Sequence, residues 1–224
     1  MIARAFVWIG SALFVASLGV CAWTYLVVLG RPMPAGGWVP LASDTALITV
    51  FALHHTLFAR DGLKAWLARS VPAMLLRSAY VWVASLLLIL VCLLWRPIGG
   101  EIYHATGLRA VAHAAIQLAG VWIAAQGVAR IDPLELAGIR HEAAQGLQVT
   151  GPYRWVRHPL YLGWMLAVFG AAHMTGDRLV FAAATTTYLV VAIPWEERSL
   201  LKIFGDEYAR YVREVTWRMI PFIY

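Results

Sequence analysis

The chain has 224 residues, of which 61% are hydrophobic and only 13% charged. A soluble domain carries about twice that charged fraction, so a soluble globular protein is excluded, and the mean hydropathy of +0.69 is that of an integral membrane protein. The formal net charge of +6 does not mark a nucleic-acid binder, because the basic residues are scattered between apolar segments and not gathered on one helix.

From the amino terminus, the first apolar run is Ala5–Leu29, 25 residues long. That exceeds the about 7–15 residues of a signal-peptide core, and no small-residue cleavage site follows, so it reads as a first spanning helix. Five more apolar segments follow: Val39–Phe58, Ala79–Trp95, Ala110–Ala129, Leu160–Ala172 and Leu179–Ile193. Turn formers fill the connectors, as in Arg31-Pro32-Met33-Pro34-Ala35-Gly36-Gly37 and Arg96-Pro97-Ile98-Gly99-Gly100. Cys21 and Cys92 each sit inside an apolar block and read as packing residues, with neither a zinc site nor a disulfide expected. Of the 18 Lys and Arg, only Arg31, Arg96, Arg109 and Arg178 fall on the odd connectors. The other 14 share one side, which predicts that both termini lie in the cytoplasm.

The last two apolar segments are short, 13 and 15 residues, against about 20 for a full span. They predict a helical hairpin that enters and leaves on one side, closed by Pro194. Beyond it, Leu200, Leu201, Phe204, Tyr208, Tyr211, Val212 and Val215 recur at helical spacing and predict an amphipathic helix lying on the cytoplasmic surface, apolar face toward lipid. In the connector Ile131–Thr150, Asp132-Pro133 and the glycines Gly138 and Gly146 predict an irregular path. The expected architecture is therefore all-α: four transmembrane helices in residues 1–130, then a connector, a short helical hairpin and an amphipathic tail helix in residues 131–224.

The densest polar clusters are Gly151-Pro152-Tyr153-Arg154-Trp155-Val156-Arg157-His158-Pro159-Leu160-Tyr161 and the pair Glu196-Glu197. Two passes of the hairpin bring both to the same side of the membrane. The bland reading of the glutamates is complementation of a helix dipole, and that of Arg157-His158-Pro159 is an ordinary helix start. Against this, neither glutamate has a basic residue three or four positions on, where Ser199, Leu200 and Leu201 stand. Adjacent like charges at a membrane boundary need a partner from elsewhere. Arg157, His158 or a bound cation would supply it, and the clusters read as one site for a small zwitterionic or cationic ligand.

These residues resemble a known family. Arg157-His158-Pro159-Leu160-Tyr161, the later Glu196-Glu197, Phe204-Gly205-Asp206-Glu207-Tyr208-Ala209-Arg210-Tyr211 and Ile220-Pro221-Phe222 are similar to the integral membrane methyltransferases related to isoprenylcysteine carboxyl methyltransferase and phospholipid methyltransferase. A looser likeness, to the methanethiol S-methyltransferase and NnrU-like subgroup, lies in Phe51-Ala52-Leu53-His54-His55-Thr56-Leu57-Phe58-Ala59-Arg60, in Arg77-Ser78-Ala79-Tyr80-Val81, in Trp95-Arg96-Pro97-Ile98 and in Met174-Thr175-Gly176. Leu76 stands where a Glu would be expected in that subgroup.

The resemblance implies an S-adenosylmethionine-dependent methyltransferase, with Gly151, Tyr153, Arg157, His158, Pro159, Tyr161, Glu196 and Glu197 around the cofactor. A glutamate would hold the ammonium, Arg157 and His158 the carboxylate, and Tyr153 or Tyr161 the adenine or sulfonium. The acceptor implied is a small thiol, with Glu196, His55 and Arg213 as candidate catalytic side chains. His54 or His55, or Arg213 on the tail helix, would assist the nucleophile. Competing expectations are a prenylated or lipidic acceptor methylated on carboxylate or amine, an NADPH-dependent membrane reductase, a histidine-ligated metal enzyme and a non-enzymatic assembly protein. Against metal ligation, the only histidines close in sequence, His54 and His55, are adjacent and point apart on a helix. Beyond the acceptor and the lipid bilayer no partner is expected, and oligomeric state is not readable.

Overall fold

The computed structural model describes residues 2–58, 63, 66–69, 72–130, 137, 139 and 146–224. Asp132-Pro133 and Gly138 of the expected irregular connector, and Ala59-Arg60, lie outside the described residues. The architecture is that of an all-α membrane protein. Among the described residues, five helices have the length and apolar composition to cross a bilayer: Ala3–Val28, Trp38–Phe58, Leu75–Leu93, Gly107–Val128 and Gly176–Phe204. The chain divides into two compact units.

The first unit is built mainly from Met1–Glu101 and Thr175–Val180. It contains α1 (Ile2–Trp23), which runs into a π-helical turn at Thr24–Val28, α2 (Trp38–Phe58) and α3 (Ala73–Leu93). α1 and α3 meet where Gly10 leaves room for Trp82, whose indole stacks on Phe6 and donates to the Phe6 carbonyl at 3.0 Å. Buried Asp177 accepts hydrogen bonds from Trp95 Nε1 and from the backbone N–H groups of Ile98 and Gly99, each at 2.8 Å. Arg178, counted above as a boundary charge, is instead buried and donates to the carbonyls of Tyr25 and Leu26. Cys21 and Cys92 are free and buried.

The second unit holds α4 (Gly107–Val128), a 3-10 turn at Gly151–Arg154, α5 (Pro159–Phe169), most of α6 (Gly176–Phe204), α7 (Asp206–Glu214) and the tail to Tyr224. Two short strands not foreseen from the pattern, β1 (Glu101–His104) and β2 (His173–Thr175), pair with each other. α4 and α5 cross at two glycines. A Cβ on Gly120 would lie 2.6 Å from the Gly163 carbonyl oxygen, and one on Gly163 would lie 2.7 Å from that of Gly120. Without a hydrophobic drive between helices in lipid, such small-residue contacts let backbones pack directly. Gln117 Nε2 then donates to the Ala167 carbonyl across the same seam at 2.9 Å.

Three expectations need correcting. Pro194 does not close the hairpin: α6 is 29 residues long and runs through it. At 1.5 Å per residue it is about 44 Å long, so its second arm is not short and exceeds a hydrocarbon core of about 30 Å. Proline costs one intrahelical bond, which a membrane helix tolerates when neighbours re-satisfy the backbone. Here Ile193, fully buried and next to the proline, packs with Val156, Leu162 and Met219. The amphipathic tail is also not one helix, because Gly205 interrupts it at φ +53°. Its apolar face is turned into protein: Tyr208, Tyr211 and Val215 are buried together, with Leu147, Leu200, Phe204 and Val212 against them.

Replacing Gly163 by Val should lower the thermal midpoint in detergent by the equivalent of about 1–3 kcal/mol, the usual penalty of overpacking. Gly19, with open space where its Cβ would stand, provides the control, and Gly19→Ala should leave the melt unchanged.

Candidate active site

His158 is the last residue before α5. A residue preceding proline is pushed away from helical geometry, and His158 accordingly stands at φ −122°, ψ 65°, with Pro159 opening the helix behind it. Its backbone N–H, and that of Arg157, donate to the carbonyls of Arg218 and Trp217 at 2.8 and 2.9 Å. The tail is thus laced along the turn that carries the imidazole. α6 brings Glu196 and Glu197 to the same place.

Glu197 is the hub. One oxygen, Oε1, accepts from Arg157 Nε at 2.7 Å and lies 3.5 Å from His158 Nε2; the other, Oε2, accepts from Arg218 Nε at 3.0 Å. Arg157, with a side chain only 5% exposed, also donates through Nη1 to the carbonyls of Val215 and Thr216. Arg218 donates to the Tyr224 hydroxyl at 3.2 Å and lies over that ring. Its charge is held above its ordinary range: partial burial opposes this, but Glu197 and Tyr224 outweigh it.

Glu196 differs. Its side chain is 43% exposed. Oε2 accepts from the Tyr161 hydroxyl at 2.7 Å and lies 3.5 Å from His158 Nδ1. No hydrogen bond engages its other oxygen among the described residues. The Tyr161 ring stacks on His158 with centroids 5.3 Å apart. Burial alone would push the His158 imidazole down, but hydrogen bonding and charge from the two glutamates raise it above the ordinary value of 6.5. Tyr153 is pushed up to about 12 by burial and then by Glu196, with Arg130 opposing. Its carbonyl accepts from the Tyr211 hydroxyl at 2.7 Å, which ties α7 to the 3-10 turn. Tyr208 and Tyr211 are likewise raised, mainly by burial.

The structure thus brings together Tyr153, Arg157, His158, Pro159, Tyr161, Glu196 and Glu197. Gly151 opens the 3-10 turn at φ +62°. Arg213 is exposed near the end of α7. His55 lies in the first unit, its Nδ1 bonded to the Tyr80 hydroxyl and its ring edge-on to Phe51. Arg218 and Tyr224 escaped the sequence reading. Both stand in a non-periodic tail, where helical spacing offers no face to read.

Glu197→Ala leaves buried Arg157 without its counter-charge, and should destabilise the protein by about 3–5 kcal/mol. Glu196→Ala, at an exposed position, should cost no more than about 1 kcal/mol; detergent melts compare the two. Because the folded-state pKa of His158 is raised, its contribution is fully present below pH 6.5 and is lost as pH rises through the folded value. Melts across that window should show the decline in the wild type, and a flatter profile in His158→Gln.

A family model described as phospholipid methyltransferase matches residues 108–207, which take in the imidazole and both glutamates. Methanethiol S-methyltransferase 2 of Bradyrhizobium diazoefficiens is 36% identical over 178 residues, 75% of this chain and 69% of the relative. Methanethiol S-methyltransferase of Crocosphaera subtropica is 38% identical over 194 residues, 82% of this chain and 75% of its own. Protein-S-isoprenylcysteine O-methyltransferase A of Arabidopsis thaliana is 32% identical over 91 residues, 39% of this chain and 46% of that one. No solved structure matches. Similarity that runs through both units at this level, laid over a helical membrane scaffold, places the chain in the methanethiol S-methyltransferase family of membrane methyltransferases.

Proposed function

We propose that the protein transfers a methyl group from S-adenosylmethionine to a small thiol, at the cytoplasmic face of a bacterial inner membrane and with both termini in the cytoplasm. The observation that carries this reading is the inequality of the two glutamates. Glu197 is enclosed by three cationic groups, whereas Glu196 presents an open oxygen beside a stacked Tyr161–His158 pair. An exposed carboxylate next to an aromatic face fits a ligand carrying an ammonium and a sulfonium, so the residues suit the cofactor. Two relatives named for methanethiol support the acceptor class, and the distribution of Lys and Arg supports the orientation.

S-adenosylmethionine supplies an electrophilic methyl group when bound. Glu196 would hold its ammonium and Tyr161 would face its cationic sulfur. His158, its proton held by the two glutamates, would meet the carboxylate. Arg157 and Glu197 act as positioning residues, since Arg157 Nε and Nη1 are already engaged. Gly151 and Tyr153 would border the ligand through the 3-10 turn, and Pro159 fixes the start of α5. A free thiol of pKa about 8.5 needs help to ionise at neutral pH, and nearby positive charge favours the thiolate. Arg213 would assist the nucleophile. Holding it in line in a dry site would provide much of the rate.

S-adenosylhomocysteine should raise the melting temperature of the purified protein, and NADPH should not. Labelled S-adenosylmethionine should pass its methyl to short alkanethiols in preference to prenylcysteine or phospholipid. In Glu196→Gln the S-adenosylhomocysteine affinity should fall by about tenfold or more, as loss of a charge-assisted bond requires. A wild type indifferent to S-adenosylhomocysteine would overturn the assignment.

A further inference from the structure

A cleft of about 310 Å³ lies between the carboxy-terminal end of α4 and the 3-10 turn, bordered by Trp122, Gln126, Arg130, Gly151, Arg154 and Trp155. It meets the proposed cofactor surroundings at Gly151, but His158, Tyr161 and Glu196 do not line it. We propose that it binds the phosphate headgroup of an anionic membrane lipid, one that is bound and not methylated.

Charge selects the ligand. The titratable groups on its wall are two arginines, with no carboxylate among them, so a sulfonium donor bearing net positive charge is disfavoured and an anion is favoured. Arg130 is set in place by its own helix, donating through Nη1 to the Gln126 carbonyl at 3.0 Å and to Gln126 Oε1 at 3.1 Å. The rest of its guanidinium lies across Gly151, where any Cβ would collide with it. Arg154 is exposed at the end of the turn.

Position selects the lipid. Leu118, Trp122 and Gln126 recur every four residues and so share one face of α4, and Arg130 continues that spacing in the turn just past its end. Leu118 and Trp122 are 68% and 56% exposed. The face therefore grades from apolar through aromatic and amide to cationic, in the order of an acyl chain, its ester region and its phosphate. α4 has 22 residues, about 33 Å of helix, which matches a hydrocarbon core of about 30 Å and puts Arg130, two residues past its end, at headgroup depth. Trp155, 59% exposed, flanks the other side, and an indole beside a headgroup site fits the interfacial pattern. Basic pockets beside spanning helices on the cytoplasmic side take anionic headgroups.

The test uses the delipidated full chain in detergent, titrated with phosphatidylglycerol, with phosphatidylcholine of the same acyl chains, and with soluble glycerol phosphate. Bound lipid is read by native mass spectrometry and stability by melting. Phosphatidylglycerol should bind and stabilise in preference to both others. With roughly one unit of Coulombic attraction per arginine, its affinity should fall about fivefold in Arg154→Gln and about 30-fold in the Arg130→Gln/Arg154→Gln double variant. Stabilisation by S-adenosylhomocysteine should persist in Arg154→Gln, whose exposed side chain makes no hydrogen bond or ion pair among the described residues. Equal binding of the two phospholipids, or glycerol phosphate binding as well as the lipid, would overturn the proposal. So would loss of S-adenosylhomocysteine affinity with phosphatidylglycerol binding intact, which would assign the cleft to the cofactor.

Discussion

One carboxylate organises the second unit. Glu197 joins α6 to the turn before α5 through Arg157 and His158, and to the tail through Arg218. Three segments distant in sequence converge on it, and each ion is expensive to desolvate unless all its partners are present. Arg157 extends the junction by gathering the carbonyls of Val215 and Thr216. Because neighbouring residues on a helix point about 100° apart, fixing Glu197 inward also fixes Glu196, which is delivered outward beside Tyr161. A structural ion cluster thus sets the register of the residue left open for a ligand.

Much of this arrangement is legible in the amino-acid sequence. Apolar blocks separated by turn formers locate the helices, though not the ends of α6, because every span must satisfy its backbone internally. Unpartnered adjacent glutamates point to distant cations, because local ones are absent at helical spacing. What fails are rules borrowed from water. Proline as a helix stop is overridden at Pro194 by packing around Ile193. An amphipathic face expected to meet lipid is covered instead by Leu147 and its neighbours. Arg218 is invisible to pattern because its contribution comes from a tail with no periodicity, threaded back by backbone bonds to Arg157 and His158.

The two units manage charge in the same manner. Asp177 and Arg178 in the first unit answer to backbone groups and one indole; Arg157 and Glu197 in the second answer to each other and to the tail. Charges so enclosed hold shape. Against that background a carboxylate at the same helix end, nearly half open to its surroundings, is the exception that invites chemistry.

The break between α6 and α7 has a particular character. Gly205 stands at φ 53°, ψ −125°, and the space where a Cβ would project is empty. Crowding therefore does not demand glycine there; the backbone does, since an L side chain resists that basin whatever its size. The constraint is one of handedness. A mirror-image alanine placed there by chemical synthesis would sit in its own favoured basin, sparing the turn while reducing the freedom of the unfolded chain.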